Sequence, residues 1–316
     1  MFNKEEVISP ILCGGFGNNL FQIAATIQYS YEMDYPFVIG YWTSYNSKTK
    51  LPPNHGSSAA GDFNPYFQPW GGWPGTNYRD FTWSNMFPRL PYFKNPDNTI
   101  DGAYNATNVD DKYAYGTDPT LPGQYIAIDC KLGQQIQGYF FNKRYWHKAR
   151  YEVLKYLGFS QSYLYESLSR LPHFLRSMNT VSLNFRLPDS DYAGDVELSE
   201  NLKKDLEGLD WIRKAINYFP KDILIVVTSN NAEKAKKLLK SEFPDSSFFF
   251  IVGSPGFQMA VSSSCNHHIL TSSTFSFWCC YLDPKQPMGH TVYSENFIER
   301  HSEHLIPYLQ WYLIQK

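Results

Sequence analysis

The feature that most constrains the fold of this chain is the alternation of strand and helix patterns that begins near residue 180. Residues 223–227 and 248–252 are apolar at every position, which is typical of strands buried on both faces of a parallel sheet. Residues 181–185 and 268–270 give two further strands, and a helical pattern covers residues 232–241. The alternation predicts an α/β fold with a doubly wound parallel sheet.

Polar segments follow three of these strands, and ligands of parallel α/β proteins bind beyond the carboxyl ends of the strands. Arg186 follows the first strand and supplies a permanent, fork-shaped positive charge. Residues 228–231 follow the second strand. Residues 271–276 combine hydroxyl groups with the start of a helix, whose backbone N–H groups suit a diphosphate. The sequence therefore predicts a diphosphate site at this edge of the sheet.

A glycine-rich segment, residues 14–22, lies between a short apolar run and a helical pattern near the N-terminus. Such a strand–loop–helix brings backbone N–H groups close to an anion or a sugar. The segment does not match the nicotinamide fingerprint, because Leu20 stands where the third glycine is required. The acidic residue expected after the second strand, at residues 36–41, is also missing. The segment therefore argues against a nicotinamide oxidoreductase.

Residues 46–125 have no periodicity and are rich in proline, glycine and aromatic side chains. Disordered segments are poor in aromatic residues, so we expect long ordered loops with a functional part or a packing part. Aromatic residues make up 17% of the chain, which suits sugar binding or reflects a compositional bias of the source. Residues 125–128 predict a strand after these loops. We expect two domains, at residues 1–160 and 161–316.

Composition excludes several classes of partner. The formal net charge is −2, so no basic field attracts nucleic acid or an anionic membrane. The five cysteines show no C-x-x-C pair and are expected to be reduced. The adjacent His267 and His268, and the His301/His304 pair, are interpreted as structural rather than metal-binding. The absence of an apolar 18-residue run and of a signal pattern predicts a cytoplasmic protein of bacterial or viral type, or a trimmed chain.

Three segments together resemble a known family. Residues 14–24 resemble the motif G-G-L-G-N-Q-[LM]-F-Q-x-A of the glycosyltransferase family 11 α-1,2-fucosyltransferases. Residues 137–146 are similar to the family's G-Y-F-Q-x-x-x-Y-F segment, and residues 265–278 resemble its C-x-H-x-I-I-x-N-S-[ST]-F-S-W-W. The order and spacing agree over nearly the whole chain.

The resemblance implies a GT-B type fold, in which two Rossmann-like domains face each other across a cleft. It implies an inverting transfer that needs no metal, with a nucleotide-sugar donor, usually GDP-fucose, on the C-terminal domain and a glycan acceptor against the N-terminal domain. In this scheme Arg186 neutralises the leaving diphosphate, and Asp189 or Asp191 is the candidate base. The expected donor contacts are Asn184, Arg186, Ser229, Asn230, Asn231, Ser272, Ser273, Thr274, Phe275 and Ser276. The expected acceptor contacts are Gly15, Gly17, Asn18, Asn19, Gln22, Trp70, Trp73 and Tyr78.

The chain departs from the family's pattern where the nucleotide base is expected. Asn184 and Leu187 replace the His and the second Arg of the family's H-x-R-R-G-D, and Asn230 and Asn231 replace two carboxylates. An asparagine has one acceptor and one donor, so it suits a uracil edge at least as well as guanine. Three alternatives follow: a UDP-sugar donor, a non-catalytic glycan-binding protein, and a metal–diphosphate clamp at the D-x-D of residues 189–191.

Overall fold

We analysed a computed structural model that describes residues 6–10, 16–39, 86–91, 114–115, 125–187, 209–286, 288–301 and 303–315. The chain divides into two compact units, Met1–Tyr163 and Leu164–Lys316. Six candidate site residues lie outside the described residues: Gly15, Trp70, Trp73, Tyr78, Asp189 and Asp191.

The first unit contains a small parallel sheet and two helices in the described ranges. Its elements are β1 (Ser9–Pro10), α1 (Phe16–Met33), β2 (Ala114–Tyr115), β3 (Gln135–Gln137) and α2 (Arg150–Leu157). The strands lie in the order β1-β3-β2 and are parallel. A parallel bridge from Ile8 to Phe37 adds a contact on the other side of β1. The strand predicted at residues 36–41 is therefore present only as bridge residues within its described part, residues 36–39.

Helix α1 is buried on most of its circumference. Leu20, Ile23 and Ile27 are at most 1% exposed, as the apolar pattern requires. The buried Gln28 donates from Nε2 to the Arg144 carbonyl oxygen (2.6 Å) and accepts from the Ala149 N–H (3.2 Å). These bonds satisfy a polar side chain that would otherwise destabilise the core. The helix is thus the centre of the unit rather than a surface element.

The strand predicted at residues 125–128 is wrong, since these residues form no ladder. The Tyr145 hydroxyl accepts from the Ile126 N–H (2.7 Å) and donates to the Ile126 carbonyl oxygen (2.8 Å). A side chain therefore takes the place that a neighbouring strand would occupy. After a 3₁₀ turn at Lys143–Tyr145, α2 runs from Arg150 to Leu157, and Gly158 is its C-cap residue.

The second unit contains a sheet of six parallel strands within its described residues. The strands are β4 (Thr180–Asn184), β5 (Leu224–Thr228), β6 (Ser247–Ile251), β7 (His267–Leu270), β8 (Thr291–Ser294) and β9 (Trp311–Ile314). The helices are α3 (Gln161–Ser169, which begins in the first unit), α4 (Leu209–Asn217), α5 (Ala232–Glu242), α6 (Pro255–Ser263), α7 (Thr274–Tyr281) and α8 (Glu295–His301). The strand order is β6-β5-β4-β7-β8-β9.

The four strands predicted in this unit agree with β4 to β7 within one residue at each end. Strands β8 and β9 were not predicted, and their signal is the short β-branched and aromatic runs at 291–293 and 311–314. Side chains of β4, β5 and β7, including Val181, Ile225 and Ile269, form one apolar core with residues of α4 and α5. The predicted doubly wound α/β sheet is confirmed in its coarse form as a parallel α/β sheet.

Candidate functional site

The strand order of the second unit identifies the edge at which a ligand is expected to bind. From β4 the chain proceeds to β5 and β6 on one side, and from β7 to β8 and β9 on the other. This is the order of dinucleotide-binding folds, and such sheets bind ligands beyond the carboxyl ends of the two strands at the reversal. Those strands are β4 and β7. Two predicted segments, 186–187 after β4 and 271–276 after β7, therefore lie at the same edge.

Arg186 is exposed, whereas both of its neighbours in the chain are buried. Phe185 and Leu187 are 0% and 2% exposed and belong to the apolar core. In extended backbone, alternate side chains point to opposite faces, so Arg186 lies away from that core. The Phe185 N–H donates to the Thr228 carbonyl oxygen (2.8 Å), which continues the pairing of β4 with β5 past the last paired residues. The guanidinium is thus carried by an anchored segment.

The carboxyl ends of three strands are joined by hydrogen bonds. Asn184 Nδ2 donates to Thr228 Oγ1 (3.1 Å), which connects β4 to β5. Thr271 Oγ1 donates to the Asn184 carbonyl oxygen (3.0 Å), which connects β7 to β4. Asn184 is 8% exposed and Thr228 is fully buried. The side-chain amide of Asn184 therefore joins β4 to β5. The sequence did not predict the structural roles of Thr228 and Thr271.

The two asparagines after β5 also have partners within the protein. Asn230 Oδ1 accepts from the Leu187 N–H (2.8 Å), and Asn230 Nδ2 donates to the Leu187 carbonyl oxygen (2.9 Å). Asn231 Oδ1 accepts from the Lys234 N–H (3.1 Å) and caps α5. Ser229 Oγ accepts from the Asn231 N–H (3.1 Å). Their assignment to the nucleotide base remains a prediction, which these bonds do not favour.

The turn from β7 into α7 supplies the other side of this edge. Ser272, Ser273, Thr274 and Phe275 are half-buried, and Ser276 is buried. Ser276 Oγ accepts from the Thr271 N–H (3.1 Å), so this hydroxyl closes the turn. Ser273 is the N-cap residue, and its side chain makes no capping hydrogen bond to α7. The N-terminal turn of α7 carries partial positive charge, which suits an anion at this edge.

A buried polar chain lies within the sheet below this edge. Ser182 Oγ lies 2.7 Å from His268 Nδ1, and His268 Nε2 lies 3.2 Å from Asp283 Oδ2. All three residues are at most 3% exposed. A serine nucleophile must reach substrate, so burial excludes this trio from covalent catalysis and gives it a structural part. Within the described residues, no group of three or more His, Cys, Asp or Glu side chains is arranged to hold a metal ion.

The motif at residues 14–24 and the motif at residues 137–146 contact each other inside the first unit. The Phe21 ring lies 5.3 Å from that of Phe141 and 5.6 Å from that of Trp146, measured between centroids. Asn19 Nδ2 donates to Gln22 Oε1 (3.2 Å), and both side chains are fully buried. Gly17 is buried and Asn18 half-buried. Acceptor binding by Asn19 and Gln22 remains a prediction, although neither side chain has exposed surface here.

Comparison with known sequences shows which proteins this chain is similar to. Residues 194–312 match the model described as glycosyl transferase family 11. The chain is 30% identical over 203 residues to mouse galactoside alpha-(1,2)-fucosyltransferase 1, which covers 62% of this chain and 50% of the mouse protein. The rat enzyme of the same name is 29% identical over 211 residues, or 60% of this chain and 54% of the rat protein. The chain spans about half the length of these relatives. The resemblance is confirmed: the chain is similar in sequence to α-1,2-fucosyltransferases, and its residues 194–312 match glycosyl transferase family 11.

Solved structures support the same architecture. The fucosyltransferase NodZ from Bradyrhizobium is similar with a TM-score of 0.51 and 12% identity, over 88% of this chain and 92% of that one. A NodZ alpha-1,6-fucosyltransferase co-crystallized with GDP gives a TM-score of 0.50 and 15% identity, over 89% and 94%. At these identities the similarity establishes the α/β fold alone. In the parts of the chain that are described, no helix has the length and apolar character needed to cross a bilayer.

Proposed function

We propose that this protein is an inverting, metal-independent glycosyltransferase that transfers fucose from GDP-fucose to a hydroxyl group of a glycan. One observation carries the proposal. The family 11 match at residues 194–312 runs through the same parallel sheet that bears Arg186 and the β7–α7 turn at its topological reversal. Homology supplies the chemistry, and the sheet edge supplies a place suited to a diphosphate.

We assign the two compact units to the two Rossmann-like domains of a GT-B enzyme. The donor would bind the second unit, which has the dinucleotide-binding strand order. The acceptor glycan would bind the first unit, which carries the glycine-rich motif at the start of α1. The fold similarity to NodZ over most of both chains supports this assignment. The relatives' name, galactoside fucosyltransferase, suggests a terminal galactose as the first acceptor to assay.

The reaction displaces GDP from the anomeric carbon when the acceptor hydroxyl attacks from the opposite face. Negative charge then grows on the β-phosphate of the leaving group. Arg186 and the N-terminal turn of α7 would stabilise that charge, and donors of this kind contribute about 3–4 kcal/mol each to transition-state stabilisation. Asp189 or Asp191 would take the hydroxyl proton, or Asp189 would orient Arg186. A fixed guanidinium and a helix terminus do the work that a metal ion does in other transferases.

The UDP-sugar alternative depended on Asn230 and Asn231 as readers of a uracil edge. In this structure Asn230 uses both ends of its amide on Leu187, and Asn231 uses its oxygen to cap α5. Neither observation favours uracil over guanine. We therefore keep GDP-fucose, the donor of the homologous family, as the proposed substrate.

A nucleotide screen followed by a transfer assay tests the proposal. We expect GDP and GDP-fucose to raise the melting temperature of the protein, and UDP and dTDP to leave it unchanged. With GDP-fucose and a galactose-terminated acceptor, we expect fucosylated product of inverted configuration, formed equally well in EDTA. Stabilisation by UDP alone would select the other donor. Activity lost in EDTA and restored by Mn²⁺ would instead support the D-x-D clamp. Glycan binding without any nucleotide binding would identify a lectin.

A further inference from the structure

One side chain, Asn230, holds both main-chain polar groups of Leu187. Its Oδ1 accepts from the Leu187 N–H at 2.8 Å, and its Nδ2 donates to the Leu187 carbonyl oxygen at 2.9 Å. A carboxamide carries an acceptor and a donor on one carbon, so it can make both bonds at once. The two residues lie 43 positions apart in the chain. We call this paired contact the Asn230 clamp.

The Asn230 clamp continues the strand pairing beyond the point where the backbones separate. The register of β4 with β5 ends at Asn184 and Thr228, and one more backbone bond joins Phe185 to Thr228. After Asn231 the chain turns into α5, so no backbone of that strand is left to pair with Leu187. The side-chain amide of Asn230 therefore pairs with Leu187 in place of a strand backbone.

Arg186 is therefore held between two fixed residues. Phe185 is fully buried and bonded to β5, and Leu187 is 2% exposed and bonded to Asn230. Asn230 itself is followed by a capped helix, since Asn231 accepts from the Lys234 N–H. Loss of the clamp would let the segment after Phe185 leave the sheet, and the guanidinium would move with it. Displacement by about 1 Å costs about 100-fold in rate where catalytic geometry is strict.

We infer that Asn230 is a positioning residue for Arg186, acting through the main chain of Leu187 and not by contact with the nucleotide base. This inference rests on the proposed function, because it takes the donor diphosphate as the partner of Arg186. It also explains why an amide stands at this position. An aspartate could accept from the Leu187 N–H, but it could not donate to the carbonyl oxygen and would repel it.

The test compares Asn230→Ala with Asn266→Ala, a matched loss at the other end of β4. Asn266 Oδ1 accepts from the N–H and the hydroxyl of Thr180, the first residue of β4. We expect Asn230→Ala to lower kcat/KM for GDP-fucose about 10-fold and leave the KM of the acceptor unchanged. We expect Asn266→Ala to lower the melting temperature about as much as Asn230→Ala does. It should leave kcat/KM for GDP-fucose at the wild-type value.

A double-mutant cycle decides how Asn230 acts. If it acts through Arg186, the variant Arg186→Ala/Asn230→Ala should have the same kcat/KM as Arg186→Ala alone. Additive losses, or wild-type kinetics for Asn230→Ala, would overturn the inference, because Asn230 would then contact the donor directly or have no part.

Amide hydrogen exchange separates failure of the clamp from failure of the proposed function. The Leu187 amide should exchange faster in Asn230→Ala than in the wild type, and at the wild-type rate in Asn266→Ala. Unchanged exchange at Leu187 would overturn the clamp whatever the activity. Suppose instead that Leu187 exchanges faster in Asn230→Ala, but the wild-type protein neither binds GDP nor transfers fucose. The clamp would then be supported, and both the proposed function and the positioning role would be overturned.

Discussion

The two units both contain parallel strands, but they are held together in different ways. In the second unit, β4 to β9 are four or five residues long and form continuous ladders. In the first unit the named strands are only two or three residues long. Single side chains there satisfy the main chain: the Tyr29 hydroxyl bonds both polar groups of Cys130, and the Tyr145 hydroxyl both groups of Ile126.

This difference indicates which substitutions will destabilise each unit and which unit can hold a catalytic side chain. A ladder distributes its hydrogen bonds over many residues, so a substitution at its edge leaves the fold intact. A unit joined by individual hydroxyl and amide groups loses two main-chain bonds when one atom is removed. The second unit can therefore hold an exposed cation such as Arg186 at little structural cost. The first unit can change little near α1 without losing stability.

The largest expected effect is on catalysis in the second unit. We expect Arg186→Ala to lower kcat/KM for GDP-fucose by about 10²–10³-fold, because a charge-directed donor to the leaving group is removed. Arg186→Lys should recover part of the loss, since it keeps the charge but not the fork. The melting temperature should change little because the side chain is exposed. Steady-state kinetics and thermal unfolding measure the two effects.

Arg213→Ala provides the control for this prediction. Arg213 is an exposed arginine of the same unit, on α4, and it bonds the Glu242 carbonyl oxygen (3.2 Å). Glu242 is the last residue of α5 and precedes the start of β6 at Ser247, so Arg213 is bound on the side where the strands begin. Equal activity losses in the Arg213 and Arg186 variants would mean that the sheet edge is not the catalytic site.

The second largest effect is expected on the stability of the first unit. Tyr145→Phe removes the hydroxyl that bonds the N–H and carbonyl oxygen of Ile126. We expect the free energy of unfolding to fall by about 2 kcal/mol, because two main-chain groups lose their partner. Tyr151→Phe, at a tyrosine that is 79% exposed, should have no measurable effect. Native-state hydrogen exchange on the full chain resolves the first unit, and equal values for the two variants would contradict the comparison.

The sequence predicts the second unit better than the first for the same physical reason. Strands β4 to β7 carry apolar residues on both faces, and this local pattern needs no knowledge of distant partners. The region near Ile126 has a strand-like pattern, but its hydrogen bonds go to a tyrosine 19 residues away. Strands β8 and β9 are short and lie beside polar turns, so their signal is weak.

The candidate site shows the same limit. The order of strands and polar segments was enough to select Arg186 and the turn after β7, because parallel strands bring their carboxyl ends to one edge. The roles of Asn184 and Asn230 could not be predicted, since each depends on a partner more than 40 residues away. An asparagine after a strand looks the same in sequence whether it binds a base or a main chain.

A smaller effect is expected from the apolar core of the second unit. Ile225, the second residue of β5, is 1% exposed and belongs to the core between the sheet and its helices. We expect Ile225→Val to lower the free energy of unfolding by about 1 kcal/mol, which is the usual cost of one buried methylene group. Val252→Ala, at a residue that is 57% exposed, is the control. A loss for Ile225→Val as large as that for Tyr145→Phe would remove the proposed difference between the units.

The smallest effect is the pH dependence that His147 gives to the stability of the first unit. Burial, together with the positive charges of Arg150 and Lys143, lowers the pKa of His147 from its ordinary 6.5 to about 4. Below pH 6.5 the unfolded chain takes up a proton that the folded chain does not bind until about pH 4, so stability falls as the pH decreases through this window. For a partly exposed ring we expect a loss of about 0.5–1 kcal/mol between pH 7 and pH 5.

His147→Gln should remove this pH dependence, and His173→Gln, at an exposed histidine of the second unit, should retain it. Native-state hydrogen exchange at pH 7 and pH 5 measures the stability of each unit in the full chain. If His147→Gln kept the full dependence in the first unit, the destabilisation would come from groups other than His147. The first unit would then owe its acid sensitivity to other groups and not to the burial of one imidazole.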